Sequence, residues 1–296
     1  MMMKRLVIVL VVLAAVAAGA GIWWSRMKTT GTEDDGVRVA VSFYPLEFLA
    51  GEIGGDKVSV TNLTPAGAEP HDWEPTTADA AMIEKSQLLL VNGGGLEAWA
   101  GKVTAKKIVA VGEGLIVGND PHIWLDPVLF GQEADRVAAA LGEIDPQNKD
   151  VYEDNNSRVK DELALLDEEY KTGLENCAQK NIVTSHAAFG YLAKRYGLTE
   201  TAISGISPDE EPTAQKLAQT ATLVKNLGIK YIFFETLVSP RLAQTLAQET
   251  GAQTIVFNPL EGLTEEQQQA GLDYFSVMRE NLVNLKMALE CRKSSS

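Results

Sequence analysis

PQNKDVYEDNNSRVKDELALLDEEYKTGLENC, residues 146–177, is the stretch that decides the fold. Pro146 suits a helix start, and no glycine interrupts the run before Gly173. Val151, Val159, Leu163, Leu165, Leu166 and Leu174 give it an apolar stripe, and its other face is heavily charged. The spacing predicts one helix over 147–177. Roughly 30 residues is long for a compact domain, where helices average about 11–12. The stripe is too sparse for sustained coiled-coil heptads. A long, two-sided helix of this kind reads as a spine between two lobes.

The sequence on either side of the spine supports that reading. Before it, short apolar runs at 37–42, 58–63, 88–91 and 107–111 read as strands. Helical stretches at 44–53, 77–86 and from Pro127 to about 141 alternate with them, and Trp99 falls in a further short helix. Thr77 is the expected cap of the second helix. After the spine the alternation resumes. Strands are expected at 182–185, 199–203, 230–234 and 254–257, and helices at 187–196, 212–227, 240–250 and 267–289. Strands alternating with helices form parallel sheets covered on both faces. The expected fold class is α/β: two similar lobes, each a mainly parallel sheet flanked by helices, joined by one long rigid helix. The expected organisation is a signal peptide or membrane anchor over 1–28 and a linker over 29–36. The first lobe then spans 37–145, the spine 146–178 and the second lobe 179–296.

Composition narrows the function. The chain of 296 residues carries a formal charge of −14. Its first 28 residues hold Lys4, Arg5, Arg26 and Lys28 and no acid, so the body is more acidic still. Such a body disfavours nucleic acid, whose binding depends on cations neutralising phosphates. Lys4 and Arg5 precede an apolar run over 6–22 that ends in Trp23 and Trp24. A basic start and an apolar run describe an export signal. The length, with tryptophans at one end, equally describes an uncleaved anchor. Both readings place the body outside the cytoplasmic membrane, in the periplasm or at the cell surface. The segment has no cysteine for lipid attachment. Cys177 and Cys291 are the only cysteines, and an even count in an oxidising compartment suggests a disulfide. Two separate buried thiols are the alternative.

The chemistry rests on three histidines, His71, His122 and His186, each in a turn-like context and none inside an apolar run. Neutral imidazole is the commonest metal ligand. Three imidazoles with a carboxylate as fourth donor suit tetrahedral zinc. His71 and His186 directly follow expected strands, on the sheet edge where α/β folds bind ligands. Three unrelated structural histidines are the plain alternative.

The motifs around these residues carry a resemblance. They are Ser42-Phe43-Tyr44-Pro45-Leu46 with Ile53-Gly54-Gly55, Pro70-His71-Asp72-Trp73-Glu74-Pro75-Thr76, and Asn92-Gly93-Gly94-Gly95-Leu96-Glu97-Ala98-Trp99. Asp120-Pro121-His122-Ile123-Trp124-Leu125-Asp126-Pro127, Ser185-His186-Ala187-Ala188-Phe189-Gly190-Tyr191-Leu192 and Asn258-Pro259-Leu260-Glu261-Gly262-Leu263 complete the set. Over about 37–290 the chain resembles the zinc- and manganese-binding solute-binding proteins of bacterial ABC importers, the cluster A-I or ZnuA/TroA-like group. The resemblance implies a metal held between two lobes, by His71 and His122 from the first and by His186 and an acid from the second. Many members place that acid just before the Pro-Leu pair, where this chain has Asn258. Glu261 matches the variant in which a glutamate follows, and is the expected fourth ligand.

Three imidazoles and one carboxylate favour Zn2+ over Mn2+. The histidine-rich loop of many zinc members is absent from 112–120. Asp72, Glu74, Asp120 and Asp126 flank the histidines, either accepting the second imidazole proton or capping turns and helices. The implied partner is a membrane ABC permease, with the protein a monomer and not an enzyme. A manganese-binding homologue, an extracellular zinc hydrolase and an adhesion module with incidental histidines are the competing readings. The hydrolase reading lacks a His-Glu-x-x-His helix.

Overall fold

The computed structural model of the chain describes residues 36–292. The expected signal or anchor over 1–28, and the linker up to residue 35, lie outside them. Among the described residues no helix is long and apolar enough to cross a membrane.

The first lobe is built on β1 (Val37–Val41), which is flanked in parallel by β2 (Val58–Asn62) and β3 (Leu88–Val91). Strand β4 (Ile108–Ala110) adds in parallel to β3, giving the order β2-β1-β3-β4. All four residues of β3 are buried, as expected of a central parallel strand covered on both faces. Helices α1 (Tyr44–Gly54), α2 (Thr77–Lys85) and α3 (Pro127–Ile144) belong to this lobe.

A turn of 3-10 helix, Pro146–Asn148, leads into the spine, α4 (Lys149–Leu174). In the second lobe β5 (Asn181–Thr184) pairs in parallel with β6 (Thr199–Ala202), and β7 (Tyr231–Phe234) with β8 (Gln253–Val256). Strands β5 and β7 lie side by side without a ladder between them. The Ser185 hydroxyl, just past β5, donates to the Phe233 carbonyl of β7 across that seam. The winding repeats that of the first lobe, with the first strand of each set between the second and the third. Helices α5 (Gly190–Tyr196), α6 (Ala214–Leu227), α7 (Arg241–Thr250), α8 (Glu265–Gln269) and α9 (Tyr274–Ala288) complete the chain.

Several boundaries differ from the sequence reading, each for a local reason. The buried face of α4 is Tyr152, Asn155, Val159, Leu163, Leu166, Tyr170 and Leu174, a steady three-to-four residue step. Val151 and Leu165, expected in that stripe, are exposed. The cap of α2 is Thr76, not Thr77, and it forms a reciprocal capping box with Asp79. The single helix expected over 267–289 is two. Thr264 with Gln267 caps α8, Asp273 with Ser276 caps α9, and Gly271 turns between them at φ 70°. Trp99 precedes a 3-10 turn, Ala100–Lys102. Helix α5 starts only at Gly190, because residues 186–189 form the turn that presents His186.

The two lobes share one continuous apolar core. It runs from Val39, Val41 and Phe43 of the first lobe through Trp124 and Phe130 to Phe189, Phe257 and Tyr274 of the second. Trp124 packs edge-on against Phe43 at 4.8 Å, and Phe130 stacks on Tyr274 at 4.4 Å. Polar groups follow the same route. The Trp124 indole N–H donates to the Pro259 carbonyl (2.7 Å), and the Tyr274 hydroxyl donates to the Trp124 carbonyl (2.7 Å). Arg195 of α5 pairs with Asp126, the residue that caps α3.

Cys177, past the end of the spine, is joined by a disulfide to Cys291, past the end of α9. The bond closes a loop of 114 residues. In the chain-entropy view this restricts the unfolded state and stabilises the fold by about 4–5 kcal/mol. The double substitution Cys177→Ser/Cys291→Ser is expected to lower the unfolding free energy by up to that amount in denaturant titrations under non-reducing conditions. An unchanged midpoint would contradict it.

Candidate metal centre

Each histidine leaves the carboxyl end of a strand on a loop with its own anchor. His71 follows β2, on a loop tied to the second lobe by the Gly67 N–H to Leu263 carbonyl bond (3.0 Å). Its backbone N–H donates to Glu69 Oε1 (3.2 Å). His122 follows β4. Asp120 Oδ1 accepts both its backbone N–H (3.1 Å) and its ring Nδ1–H (2.8 Å). His186 follows β5, and Glu235 Oε1 accepts its ring Nδ1–H (2.7 Å) and its backbone N–H (3.3 Å). Glu261 follows β8. Asn258 shapes its turn by accepting the Leu260 N–H on its side-chain oxygen (2.8 Å). Leu260 itself sits at φ 57°, a strained value for a branched residue, and is fully buried.

These anchors bring all four expected residues together. His71 Nε2 lies 3.2 Å from His122 Nε2 and 3.1 Å from Glu261 Oε1. His122 Nε2 lies 3.1 Å from Glu261 Oε1 and 3.3 Å from His186 Nε2. His186 Nε2 lies 3.4 Å from Glu261 Oε1. A regular tetrahedron with ligands about 2.0–2.1 Å from its centre has edges of about 3.3–3.4 Å. His122, His186 and Glu261 are buried, and the His71 side chain keeps 9% of its surface exposed. His71 therefore borders the route to solvent.

The hydrogen bonds fix the chemistry of the donors. With Nδ1–H given to a carboxylate, the neutral rings of His122 and His186 turn lone pairs on Nε2 toward each other. Glu261 Oε1 adds a third acceptor at the same point, and its Oε2 is buried without a partner. Such a cluster is stable when a cation or shared protons fill it.

The ionisation of the cluster follows. Burial opposes charging of His186, yet Glu261 and Glu235 outweigh it and hold its pKa well above the ordinary value. Burial likewise opposes charging of His122, but Asp120 and Glu261 prevail and raise its pKa. Burial favours the neutral form of Glu261, and the surrounding histidines reverse this and hold its pKa well below the usual range. Glu69 behaves oppositely, pushed up to about 9 by its burial and by the nearby Glu261 charge.

Of the flanking acids singled out in the sequence, Asp120 accepts an imidazole proton and Asp126 caps α3. Asp72 and Glu74 are exposed. Glu235 and Glu69 escaped the sequence reading. The available signal for Glu235 was an acid directly after the strand that ends in Phe233-Phe234, on the ligand-binding edge. Glu97 of the first lobe, six residues past β3, has a different task. It accepts the Ser42 hydroxyl (2.6 Å) and the Asn92 and Gly93 N–H groups (2.9 Å each), and so fixes the loop after β3.

Two α/β lobes closing on a buried three-imidazole, one-carboxylate cluster define a metal-binding protein of the solute-binding class. The chain belongs to the ZnuA family. Residues 39–288 match that family's model, described as zinc-uptake complex component A, periplasmic. It is 38% identical over 293 residues to the high-affinity zinc uptake system protein ZnuA of Bacillus subtilis, covering 88% of this chain and 91% of that protein. It is 36% identical over 290 residues to the zinc-binding protein AdcA of Streptococcus pyogenes, covering 86% of this chain. There the chain spans 56% of the relative's length. Among solved structures it is similar to the laminin-binding protein Lmb of Streptococcus agalactiae, titled a bifunctional protein with adhesin and metal-transporting activity. That match has TM-score 0.81 and 36% identity, and covers 86% of this chain and 99% of the other. The Zn(II)-bound ZnuA-like domain of Streptococcus pneumoniae AdcA matches with TM-score 0.76 and 38% identity, covering 86% and 99%. Family membership places the chain outside the cytoplasmic membrane as a transport component.

The pKa directions give a test with a definite sign. In metal-free protein the raised histidines stabilise the fold fully below their unfolded value of about 6.5, and that contribution is lost as pH rises through their folded values. The lowered Glu261 contributes above its unfolded value of about 4.3 and is lost as pH falls through its folded value. Metal displaces the protons, so bound metal reverses the dependence above about pH 6.5. Unfolding temperature in excess chelator is expected to fall as pH rises above that point, and in excess metal to hold or rise. Parallel curves would contradict the assigned ionisation.

Proposed function

We propose that this chain captures one zinc ion outside the cytoplasmic membrane through His71, His122, His186 and Glu261, and delivers it to an ABC permease. The observation that carries the reading is the convergence of four acceptor atoms, all within 4.8 Å of one another and with five of their six separations at 3.1–3.4 Å. Three imidazoles favour zinc over the harder manganese, which prefers oxygen donors. Zinc in the names of relatives supports the same choice. Four protein ligands close the coordination sphere, which leaves no place for the water a zinc hydrolase activates. The binding unit is a monomer, with lobes at 37–145 and 179–296 around the spine at 146–178. The first 28 residues act as its export signal or anchor.

Because His186 and Glu261 close the site from the second lobe, His186→Ala is expected to weaken zinc binding by more than about 100-fold. That exceeds the 10–100-fold typical of losing a group that only orients a ligand. Competitive titration of wild type and variant with zinc and with manganese checks both the ligand and the metal. Equal zinc affinity in the variant would remove His186 from the site. Manganese outcompeting zinc in the wild type would favour the manganese reading.

A further inference from the structure

The loop that delivers His122 is held within the first lobe by Asn92, whose side-chain amide donates to the Pro121 carbonyl (2.9 Å), and from the opposite lobe by one hydroxyl. Residues 111–113 are fastened within the first lobe, where Arg136 donates to the Val111 and Glu113 carbonyls. Ile116 packs over Gly94 and Gly112, but beyond it the exposed residues 117–119, with Gly118 at φ 69°, have little side-chain anchorage of their own. Tyr191, the second residue of α5, reaches this stretch. Its hydroxyl donates to the Asp120 carbonyl (2.9 Å) and accepts the Val117 N–H (2.8 Å). Its neighbour Gly190 lets α5 close on the same acid. A Cβ there would stand 2.9 Å from Asp120 Oδ2.

Asp120 therefore joins two constraints. Its carbonyl is held by Tyr191, and its Oδ1 holds both the backbone and the ring Nδ1 of His122. Rotating the Asp120 peptide would move the carboxylate that aims His122 Nε2 at His186 and Glu261. We propose that Tyr191 is a positioning residue, an interlobe latch that holds His122 on the metal through Asp120 and so sets how fast the ion is released. This rests on the zinc-binding reading. The latch does not touch the ion; it controls the loop whose withdrawal would remove one of the four ligands.

Tyr191→Phe keeps the ring and removes the hydroxyl. Two hydrogen bonds at about 1 kcal/mol each correspond to a release rate up to about 30-fold above wild type. Release is measured by stopped flow from zinc-loaded protein into excess chelator, with thermal unfolding as the folding control. In a His122→Ala background the same change should alter the zinc release rate by less than about twofold, because the residue it acts through is gone. A third readout needs no metal: amide hydrogen exchange over 113–121 of the chelator-treated protein should speed up in Tyr191→Phe. A wild type that fails to hold zinc would defeat the proposed function, and the exchange measurement would still decide the latch. Unchanged exchange, or an unchanged release rate when wild type does hold zinc, would overturn it. An equal effect with and without His122 would also overturn it, because Tyr191 would then act as a general clamp between lobes.

Discussion

Three imidazole nitrogens and one carboxylate oxygen meet within 4.8 Å of one another, five of the six pairs at 3.1–3.4 Å, with the other nitrogen of two rings already committed to a carboxylate. Acceptors at that distance repel unless something positive lies between them. The cost of assembling them is borne by the surrounding fold. Glu261 is presented from a turn containing a buried leucine at positive φ, and Glu69 is held nearby with its charge suppressed. Strain and unfavourable charge concentrated at one place are characteristic of a site whose ligand completes it.

The lobes can bear this cost because they are not independent. Trp124 lies two residues from His122, and Pro259 two residues from Glu261. The indole-to-carbonyl bond between them joins the backbone segments that carry a ligand from each lobe. Tyr274 fastens the same tryptophan from behind, and the shared aromatic core fills the space beneath. The spine packs against helices of both lobes, and the disulfide ties the chain just past its end to the residues after α9.

The α/β alternation, the spine and the three histidines were legible because each leaves a local mark: periodicity, strand-then-turn, and a residue type with few other uses. The turn of Glu261 was legible as one directly past an expected strand, but Glu261 itself was singled out through resemblance. What escaped is what depends on contacts distant in sequence. Glu235 lies 49 residues from the histidine it orients, and Tyr191 lies 71 from Asp120. The buried stripe of the spine was read with Val151 and Leu165 because apolar identity outweighed helical phase. The tyrosines Tyr152 and Tyr170 take the inward positions instead, each with its hydroxyl partnered, by Asp145 and by the Met278 carbonyl.

X-ray absorption at the zinc edge of the stoichiometric complex tests the central claim most directly, because it counts and identifies the ligands. The account predicts a four-coordinate ion with three imidazole nitrogens and one carboxylate oxygen, all at about 2.0–2.2 Å. A spectrum requiring five or six light ligands, or fewer than three imidazoles, would contradict it.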